Sequence, residues 1–363
     1  MLYPLTGIIS ALLLVPSHAV AHPAPEERQA NTFTFYNMPT AAAGPCDLVE
    51  GPDGALWGED ILVNIIFRIN PKTGVVQEYP IPFTTPVSNV TIPGVSQSIQ
   101  DRTAFSCAIR TGNDGNLYAS NGLRNQLVQI NPSTKKIKIL QPPLNPAGDL
   151  QPFNDITPAK GGMYFTQTTG NVFTFYNFAT GGFTNYQIPT PLALPLGLKV
   201  ASNGRLYIAL LLANKILEFD PATKAILEYD LPLPGQLPTV VRAEKDGFIY
   251  FAMFTGDGIG RINLITKKIE LFTSSQLGGL GAENTIDSRG GVWLSYFTVD
   301  VLARLDTATL KYTYIPYTPA AALLNGVLGD IPPFVDVAVN YGPGDAIWFT
   351  SIGTNQVGRY KLS

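Results

Sequence analysis

The chain has 363 residues and a formal net charge of −3, and only 14% of its residues are charged. It contains no run of basic residues, which argues against nucleic acid and anionic membrane surfaces as partners. The 34 glycines and 30 prolines indicate many tight turns between short elements.

The first 21 residues carry no charged side chain. An apolar run at residues 7–15 precedes Ala19-Val20-Ala21, which matches the cleavage site of a secretory signal peptide. We therefore predict a signal peptide at 1–21, a disordered polar leader at 22–30 and one folded domain at 31–363, in a protein that is secreted or lies in the secretory lumen. A buried N-terminal helix is the alternative interpretation. The run is too short to span a bilayer, and no other stretch is apolar enough.

Between residues 44 and 82 the sequence predicts four short strands, at residues 46–50, 55–58, 65–70 and 75–79. Turn residues such as Gly, Asn and Pro separate them. Four strands at this density are typical of one blade of a β-propeller. A single blade cannot bury both of its faces, so further copies are expected along the chain.

The signature of this blade recurs seven times. A Gly lies three positions before an aromatic residue (four in the last copy), and an Asn or Asp follows the aromatic residue after seven. The aromatic residues are Trp57, Tyr118, Tyr164, Tyr207, Tyr250, Trp293 and Trp348. The residues seven positions later are Asn64, Asn125, Asn171, Asn214, Asp257, Asp300 and Asn355. The repeat predicts an all-β, seven-bladed β-propeller in which the aromatic fills space between blades and the Asn or Asp suits a turn. A six-bladed ring is the alternative if the weakly matching third copy, residues 153–189, is not a full blade.

The seventh copy ends at Ser363 with only three predicted strands. We expect residues 32–38, near the start of the mature chain, to supply its missing outer strand, because their sequence resembles the fourth strands of other copies. Pairing the two ends would close the ring and hide both exposed edges.

The two cysteines, Cys46 and Cys107, each lie eight residues before the Gly of their repeat. They therefore occupy equivalent positions on the innermost strands of adjacent blades. In a secreted chain this placement predicts a disulfide, with two buried thiols as the alternative. Asn89 begins the sequon Asn89-Val90-Thr91 and is a predicted glycosylation site.

A site is expected where the loops that enter the innermost strands meet the loops between second and third strands, around the central channel. Three entering loops are long, at residues 83–105, 143–152 and 317–333, and such loops are functional candidates. The candidates there are half apolar and half polar, which suits a pocket for a moderately apolar organic molecule. The apolar candidates are Phe153, Met253, Phe254, Phe297 and Phe334, and the polar candidates are Asn121, Gln167, Asn284 and Tyr296. A satisfied turn residue is the alternative for each of them.

Acidic residues at the same positions could hold a divalent cation if several converged. They are Asp47, Glu59, Asp60, Glu283 and Asp336. A calcium-dependent, lactonase-like hydrolase is therefore one open function, although our prediction assigns no metal. Histidine occurs only as His18 and His22, so the predicted folded domain contains no imidazole base and no His metal ligand.

The repeat resembles that of streptogramin B lyase (virginiamycin B lyase) propellers. The residues that carry the resemblance are 51–57 (GPDGALW), 64–69 (NIIFRI) and 78–82 (EYPIP), with Gly260-Arg261-Ile262 and Gly358-Arg359-Tyr360 as partial copies. The resemblance implies the propeller architecture for the whole folded chain. That lyase uses histidine together with a metal-binding acid, and no histidine here matches, so we do not expect its chemistry.

The signal peptide, the Asn31-Thr32-Phe33 start of the first strand and the histidine-poor ring are similar to the hetero-Diels–Alderase family of fungal tropolone–sesquiterpenoid pathways. This resemblance implies a cofactor-free enzyme that joins a tropolone-type o-quinone methide to a humulene-type olefin. Its partners would be small polyketide and terpene substrates. No catalytic residue is carried over by a shared motif.

Such a cycloaddition needs two partners held face to face, and orientation alone can supply about 7–11 kcal/mol of the barrier. A hydrogen-bond donor on the quinone methide oxygen would polarise the diene further. We assign the donor role to the four polar candidates and terpene binding to the five apolar candidates. A non-catalytic extracellular binder needs the same kind of pocket and stays open as an alternative.

Overall fold

The computed structural model describes residues 33–82, 107–122, 125–143, 155–317 and 335–362. In these ranges the chain forms 28 β-strands, arranged as seven four-stranded antiparallel sheets. The predicted signal peptide, the leader, Asn89, Phe153 and Phe334 lie outside the described residues. None of the described segments forms a helix long and apolar enough to cross a membrane.

The strands follow one another around the ring in chain order. The first strand is β1 (Phe33–Asn37). Blades 1 to 3 contain β2 (Pro45–Glu50), β3 (Leu56–Asp60), β4 (Ile65–Ile69), β5 (Val76–Pro80), β6 (Ile109–Thr111), β7 (Leu117–Asn121), β8 (Gln126–Ile130), β9 (Ile137–Leu140), β10 (Ile156–Ala159), β11 (Gly162–Gln167), β12 (Val172–Asn177) and β13 (Phe183–Gln187). Blades 4 and 5 contain β14 (Pro195–Val200), β15 (Leu206–Leu210), β16 (Lys215–Phe219), β17 (Ile226–Asp230), β18 (Pro238–Lys245), β19 (Phe248–Met253), β20 (Gly258–Asn263) and β21 (Ile269–Thr273). Blades 6 and 7 contain β22 (Gly281–Ile286), β23 (Val292–Tyr296), β24 (Val301–Leu305), β25 (Tyr312–Pro316), β26 (Asp336–Gly342), β27 (Ala346–Ser351) and β28 (Gln356–Lys361).

The ring closes through its two chain ends, as predicted. β1 pairs antiparallel with β28, with Phe35 opposite Gly358, and completes blade 7 as its outer strand. Tyr36 stacks on Trp348 with 5.4 Å between ring centroids. The third copy of the repeat is a complete sheet of β10 to β13, so the ring has seven blades and the six-bladed alternative is wrong.

The signature aromatics lie between blades, where the sequence predicted them. Trp57, for example, packs in one apolar cluster with Ile109 and Leu117 of the next blade. The second strand of each blade is buried except at the first residue of β19, whereas fourth strands such as β5 are only half-buried. The difference arises because the inner strands are covered by both neighbouring blades and the fourth strands form the outer rim of the ring.

The signature Asn or Asp adopts a left-handed backbone conformation in five blades, with φ between 48° and 58°. Its side chain then ties the loop after the second strand to the chain that enters the next blade, or blade 1 in the case of Asn355. Asn355 Oδ1 accepts the Gly44 amide at 2.9 Å, and Asp257 accepts the amides of Gly278 and Leu280. Asn and Asp tolerate this conformation better than other side chains, which explains the recurrence of the residue type.

The predicted disulfide is confirmed. Cys46 and Cys107 are bonded, with 5.2 Å between their Cα atoms, and they join the innermost part of blade 1 to blade 2. A disulfide is compatible with the predicted secretory location.

Candidate functional site

In the described ranges, the chain that enters the innermost strands meets the loops between second and third strands on one face, as the sequence predicted, whereas most of the three long entering loops lies outside these ranges. The Ile61 amide donates to Gly44, the Phe254 amide to Leu237 and the Phe297 amide to Leu280, all at 2.8–2.9 Å between N and O. We call this face the channel mouth.

The backbone of the mouth is strained at the residues that accept these bonds. The accepting residue has positive φ at Leu194 (53°), Leu237 (49°), Leu280 (59°) and Val335 (61°), and also at Gly44 (69°), where glycine adopts this conformation without strain. The left-handed region costs a bulky residue roughly 1–3 kcal/mol, and such strain clusters at functional sites. The ring therefore holds the mouth in a shape that its local sequence does not favour.

The second strand of each blade ends at the mouth with a buried side chain. These terminal residues are Asp60, Asn121, Gln167, Leu210, Met253, Tyr296 and Ser351. The sequence placed all of these residues except Ser351 in loops, whereas each of them is the last residue of its strand. In five blades the terminal residue still pairs with the start of the innermost strand across a β-bulge, as Tyr296 does with Gly281 and Asp60 does with Pro45. In blades 2 and 3 it pairs only with the third strand, Asn121 with Gln126 and Gln167 with Val172.

Two of the predicted donors, Gln167 and Asn121, have unsatisfied polar atoms. Gln167 is fully buried, and neither its Nε2 nor its Oε1 has a hydrogen-bond partner in the described part of the chain. Asn121 donates to Gln126 Oε1 at 2.9 Å, while its own Oδ1 has no partner there. A buried polar atom without a partner costs roughly 1–3 kcal/mol, so these groups are the strongest candidates for ligand contact.

The other two predicted donors are already engaged within the ring. Asn284 donates to the Val240 carbonyl at 2.6 Å and accepts the Ala243 amide at 2.9 Å, which joins the innermost strands of blades 5 and 6. The Tyr296 hydroxyl donates to Ser274 Oγ at 2.6 Å. Burial of Tyr296 in the core between blades 5 and 6 raises its pKa well above the ordinary value.

Of the predicted terpene-binding residues, Phe254 and Phe297 lie together at the mouth. Their ring centroids are 6.1 Å apart in an edge-to-face arrangement, and both rings are partly exposed. Phe297 also packs on an apolar cluster that includes Cys46 and Val335. Met253 is fully buried in the core shared with blade 4.

The predicted acidic ligands Asp47 and Glu283 do converge, but on arginine. Arg110 Nη1 lies 2.6 Å from Asp47 Oδ2, and Arg110 Nη2 lies 2.9 Å from Glu283 Oε1. Arg242 Nη2 contacts the same Glu283 oxygen at 2.5 Å and Asp155 Oδ2 at 3.1 Å. This buried network, which we call the channel network, connects blades 1, 2, 3, 5 and 6 across the ring.

The channel network is held in a poorly solvated environment. Burial raises the pKa of Asp47 and Glu283, opposed by Arg110, and burial raises the pKa of Asp155 to about 7. Arg110 and Arg242 were not among the residues predicted for this site, although the sequence contains a signal for them. Arg110 and Arg242, like Lys199, lie eight residues before the signature aromatic of their blade. Equivalent positions in the repeat lie at the same height along the channel.

The other predicted acidic ligands are dispersed. Glu59 Oε2 accepts the Ala108 amide at 2.8 Å, and both carboxylate oxygens of Asp60 lack a partner among the described residues. Asp336 accepts a hydrogen bond from the Tyr317 hydroxyl. Within the described ranges, no group of three or more His, Cys, Asp or Glu side chains is arranged to hold a metal ion.

A second acidic pair, Asp300 and Asp336, lies where blades 6 and 7 meet. Burial and repulsion from Asp336 raise the pKa of Asp300 to about 8, and burial raises the pKa of Asp336 to about 7 against the opposing hydrogen bond from Tyr317. Asp300 is the signature residue of its blade, yet it is absent from the residues with positive φ. Repeat position alone therefore did not reveal this pair.

These raised pKa values predict that the protein is more stable at mildly acidic pH. Asp300 and Asp336 keep protons up to about pH 7–8 in the folded chain but lose them near their ordinary value of 3.8 when unfolded. The folded state thus binds more protons between these limits, and stability falls as pH rises. We expect a Tm at about pH 5.5 that exceeds the Tm at about pH 8 by roughly 2–4 °C.

The isosteric variant Asp300→Asn should remove part of this difference, as measured by thermal unfolding at both pH values. Asp230→Asn is the matched control, because the Asp230 side chain is 82% exposed. An Asp300→Asn variant with the same pH dependence as the wild type and the control would contradict the prediction.

Comparison with known proteins relates the fold of the chain to that of a lyase family. The profile of the virginiamycin B lyase family matches residues 95–318. A streptogramin B lyase structure aligns with a TM-score of 0.75 at 17% identity, covering 91% of this chain and 97% of that chain. Selenomethionine-substituted virginiamycin B lyase from Staphylococcus aureus aligns at 0.74 with 19% identity, covering 91% and 99%. No curated protein sequence matches the chain.

A third structure with the same fold contains a ligand. It is a catalytically inactive histidine-to-alanine variant of Staphylococcus aureus virginiamycin B lyase with quinupristin, and it aligns with a TM-score of 0.75 at 19% identity. The alignment covers 91% of this chain and 99% of that one. At such identities the similarity to solved structures is one of fold.

Proposed function

This chain belongs to the virginiamycin B lyase family, and from that premise we propose that it is a pericyclase without a cofactor. The proposed reaction is an intermolecular hetero-Diels–Alder addition of a tropolone-type o-quinone methide to a humulene-type olefin, in fungal secondary metabolism. The methide carbon forms a bond to one olefin carbon, and the quinone oxygen forms a bond to the other. The olefin C=C, the methide C=C and the quinone C=O π bonds are consumed, and one new C=C forms between the two ring carbons of the former heterodiene. All atoms are retained, no electrons leave the pair of substrates and no proton is transferred.

The residue content of the chain supports a reaction that needs no imidazole. The lyase from Staphylococcus aureus is inactive when one histidine is replaced by alanine. The histidines of this chain, His18 and His22, both precede the first described strand. A cycloaddition instead needs orientation and a hydrogen-bond donor, both of which polar and aromatic side chains can supply.

The observation that carries the proposal is Gln167. Its amide is fully buried at the mouth without a partner among the described residues. Its Nε2 can donate to the quinone methide oxygen, on which negative charge increases as the carbon–carbon bond forms. The exposed edges of Phe254 and Phe297 offer an apolar contact for the olefin on the same face.

Gln167→Leu should slow the reaction about 10–100-fold, the equivalent of roughly 1.5–3 kcal/mol for one hydrogen bond to a charged oxygen. The same change should not lower the Tm, because an apolar side chain replaces an unsatisfied amide. Rates are measured by incubating purified protein with a quinone methide precursor and humulene. The matched control is Gln77→Leu on the exposed outer strand of blade 1, which should leave the rate unchanged.

The adduct is resolved by chiral chromatography beside a protein-free reaction. A yield and enantiomeric ratio equal to the protein-free reaction would reject the proposed function and favour a non-catalytic binding protein. Activity that EDTA abolishes and calcium restores would instead favour the metal-dependent hydrolase alternative. Activity that is unchanged by EDTA agrees with the proposal.

A further inference from the structure

We propose that the channel mouth is divided into a polar half and an apolar half, and that each half binds one of the two reactants. The polar half comprises blades 7, 1, 2 and 3 and binds the oxygenated partner. The apolar half comprises blades 4, 5 and 6 and binds the hydrocarbon olefin. This inference rests on the proposed function, because it assigns the two substrates of that reaction to separate places.

The first observation is the identity of the residues that end the second strands. In blades 7, 1, 2 and 3 they are polar: Ser351, Asp60, Asn121 and Gln167. In blades 4 and 5 they are Leu210 and Met253, and in blade 6 the position is Tyr296, whose hydroxyl is satisfied by Ser274. The change of polarity thus follows the order of the blades around the ring.

The preceding residue of each second strand points toward the following blade and continues the division except in blade 6. There it is Ser295, whose hydroxyl donates to the Val337 carbonyl of blade 7. The preceding residue is Ala209 in blade 4 and Ala252 in blade 5, and both are fully buried. It is Glu59 in blade 1 and Ser120 in blade 2, also buried. The contacts of blade 5 with both neighbours are therefore apolar at this level, whereas those of blade 2 are polar.

The second observation is the distribution of unsatisfied atoms. Asp60, Asn121 and Gln167 each have at least one buried side-chain atom without a hydrogen-bond partner in the described ranges, and so do Glu59 and Ser120. Ser351 is hydrogen-bonded to Asp336. In the apolar half, Asp300 of blade 6 also has one such atom. Leaving several such groups unpaired is costly, so a ligand with its own donors and acceptors would gain by satisfying them. A quinone methide or tropolone has such oxygen atoms, and a hydrocarbon has none.

The third observation is an exposed apolar rim on the other half. The chain that enters blades 4, 5 and 6 carries Leu192, Leu233 and Leu277, which are 63%, 53% and 66% exposed. Phe254 and Phe297 lie on the same side of the mouth. Exposed apolar side chains on three successive entering loops offer a surface for an apolar ligand, and an olefin without polar atoms loses nothing by leaving water there.

The division has a chemical consequence for the proposed reaction. Partners held by opposite halves of one opening would meet with their reactive carbons facing each other across the channel. Their relative orientation would then be set by the ring and not by their contact with each other. This accounts for how one mouth could accept two molecules of such different polarity without each occupying the place of the other.

The test measures binding of each partner alone, with humulene and stable tropolone as the probes. The double variant Leu233→Ser/Leu277→Ser should weaken humulene binding about tenfold and leave tropolone binding unchanged. Gln167→Leu should weaken tropolone binding about tenfold and leave humulene binding unchanged. Leu227→Ser is the control, because Leu227 is 50% exposed but lies on β17 at the outer rim.

Equal weakening of both probes by either variant would overturn the division and indicate one shared pocket. The division would also be overturned if Leu233→Ser/Leu277→Ser lost adsorption to phosphatidylcholine vesicles but kept its humulene affinity. These leucines at the mouth would then be a membrane contact. If each variant weakens only its own probe but no adduct forms, the division is supported and the proposed function is rejected. If adduct forms but neither variant is selective for one probe, the proposed function is supported and the division is rejected.

Discussion

Replacing Arg110 by methionine should lower the free energy of unfolding by about 3–5 kcal/mol, the usual cost of breaking a buried ion pair. Arg110 is buried between Asp47 and Glu283, with Asp155 at 3.5 Å. Methionine fills a similar volume but leaves Asp47 without its cation and Glu283 with only Arg242. Each carboxylate must then be buried as an uncompensated charge or take up a proton.

Urea unfolding at pH 7 provides the measurement. Arg289→Met is the matched control, because Arg289 pairs with Asp345 at a half-exposed site where an ion pair contributes at most about 1 kcal/mol. Arg110→Lys keeps a positive charge and should recover part of the stability, which makes the test usable if the methionine variant does not fold. Equal urea midpoints for Arg110→Met and Arg289→Met would show that the channel network contributes nothing to stability.

Removing the disulfide with Cys46→Ala/Cys107→Ala should destabilise the protein by a similar amount. The bond closes a loop with a sequence separation of 61, for which the chain-entropy model gives about 4 kcal/mol. The loss should raise the unfolding rate as well, because the first two blades would no longer be joined at the mouth.

Reduction of the wild type provides an independent comparison. Wild-type protein treated with reductant should unfold at the same urea concentration as the double variant, and reductant should not affect the variant further. Thiol titration of denatured, unreduced wild-type protein should detect no free thiol. Two free thiols in that titration would contradict the bond itself.

The blade count and ring closure could be predicted from the sequence because both follow from the repeat. Trp57 and its six equivalents fill the same inter-blade position in every copy, so a repeat in the chain becomes a repeat in space. The pairing of β1 with β28 could be predicted because the last copy has only three strands, and residues 32–38 resemble the fourth strand that it lacks. Cys46 and Cys107 could be paired for the same reason, since equivalent positions in adjacent blades are neighbours.

The candidate site was predicted only in part. Position in the repeat correctly placed four candidates at the mouth: Asn121, Gln167, Met253 and Tyr296. Which of them is free to contact a ligand could not be predicted, because their partners lie on other strands. Tyr296 is satisfied by Ser274, 22 residues away, whereas the side chain of Gln167 has no partner among the described residues.

The channel network was decided by tertiary structure alone. Arg110 and Glu283 are 173 residues apart and belong to blades that are not neighbours, so no local pattern relates them. The sequence by itself determined the seven blades, their aromatic contacts and the joined ends, because these interactions act within a blade or between adjacent copies. Closing the ring brings the innermost strands of distant blades around one narrow, poorly solvated channel. There the charges of Asp47, Asp155 and Glu283 must be balanced by whichever cations face the same space.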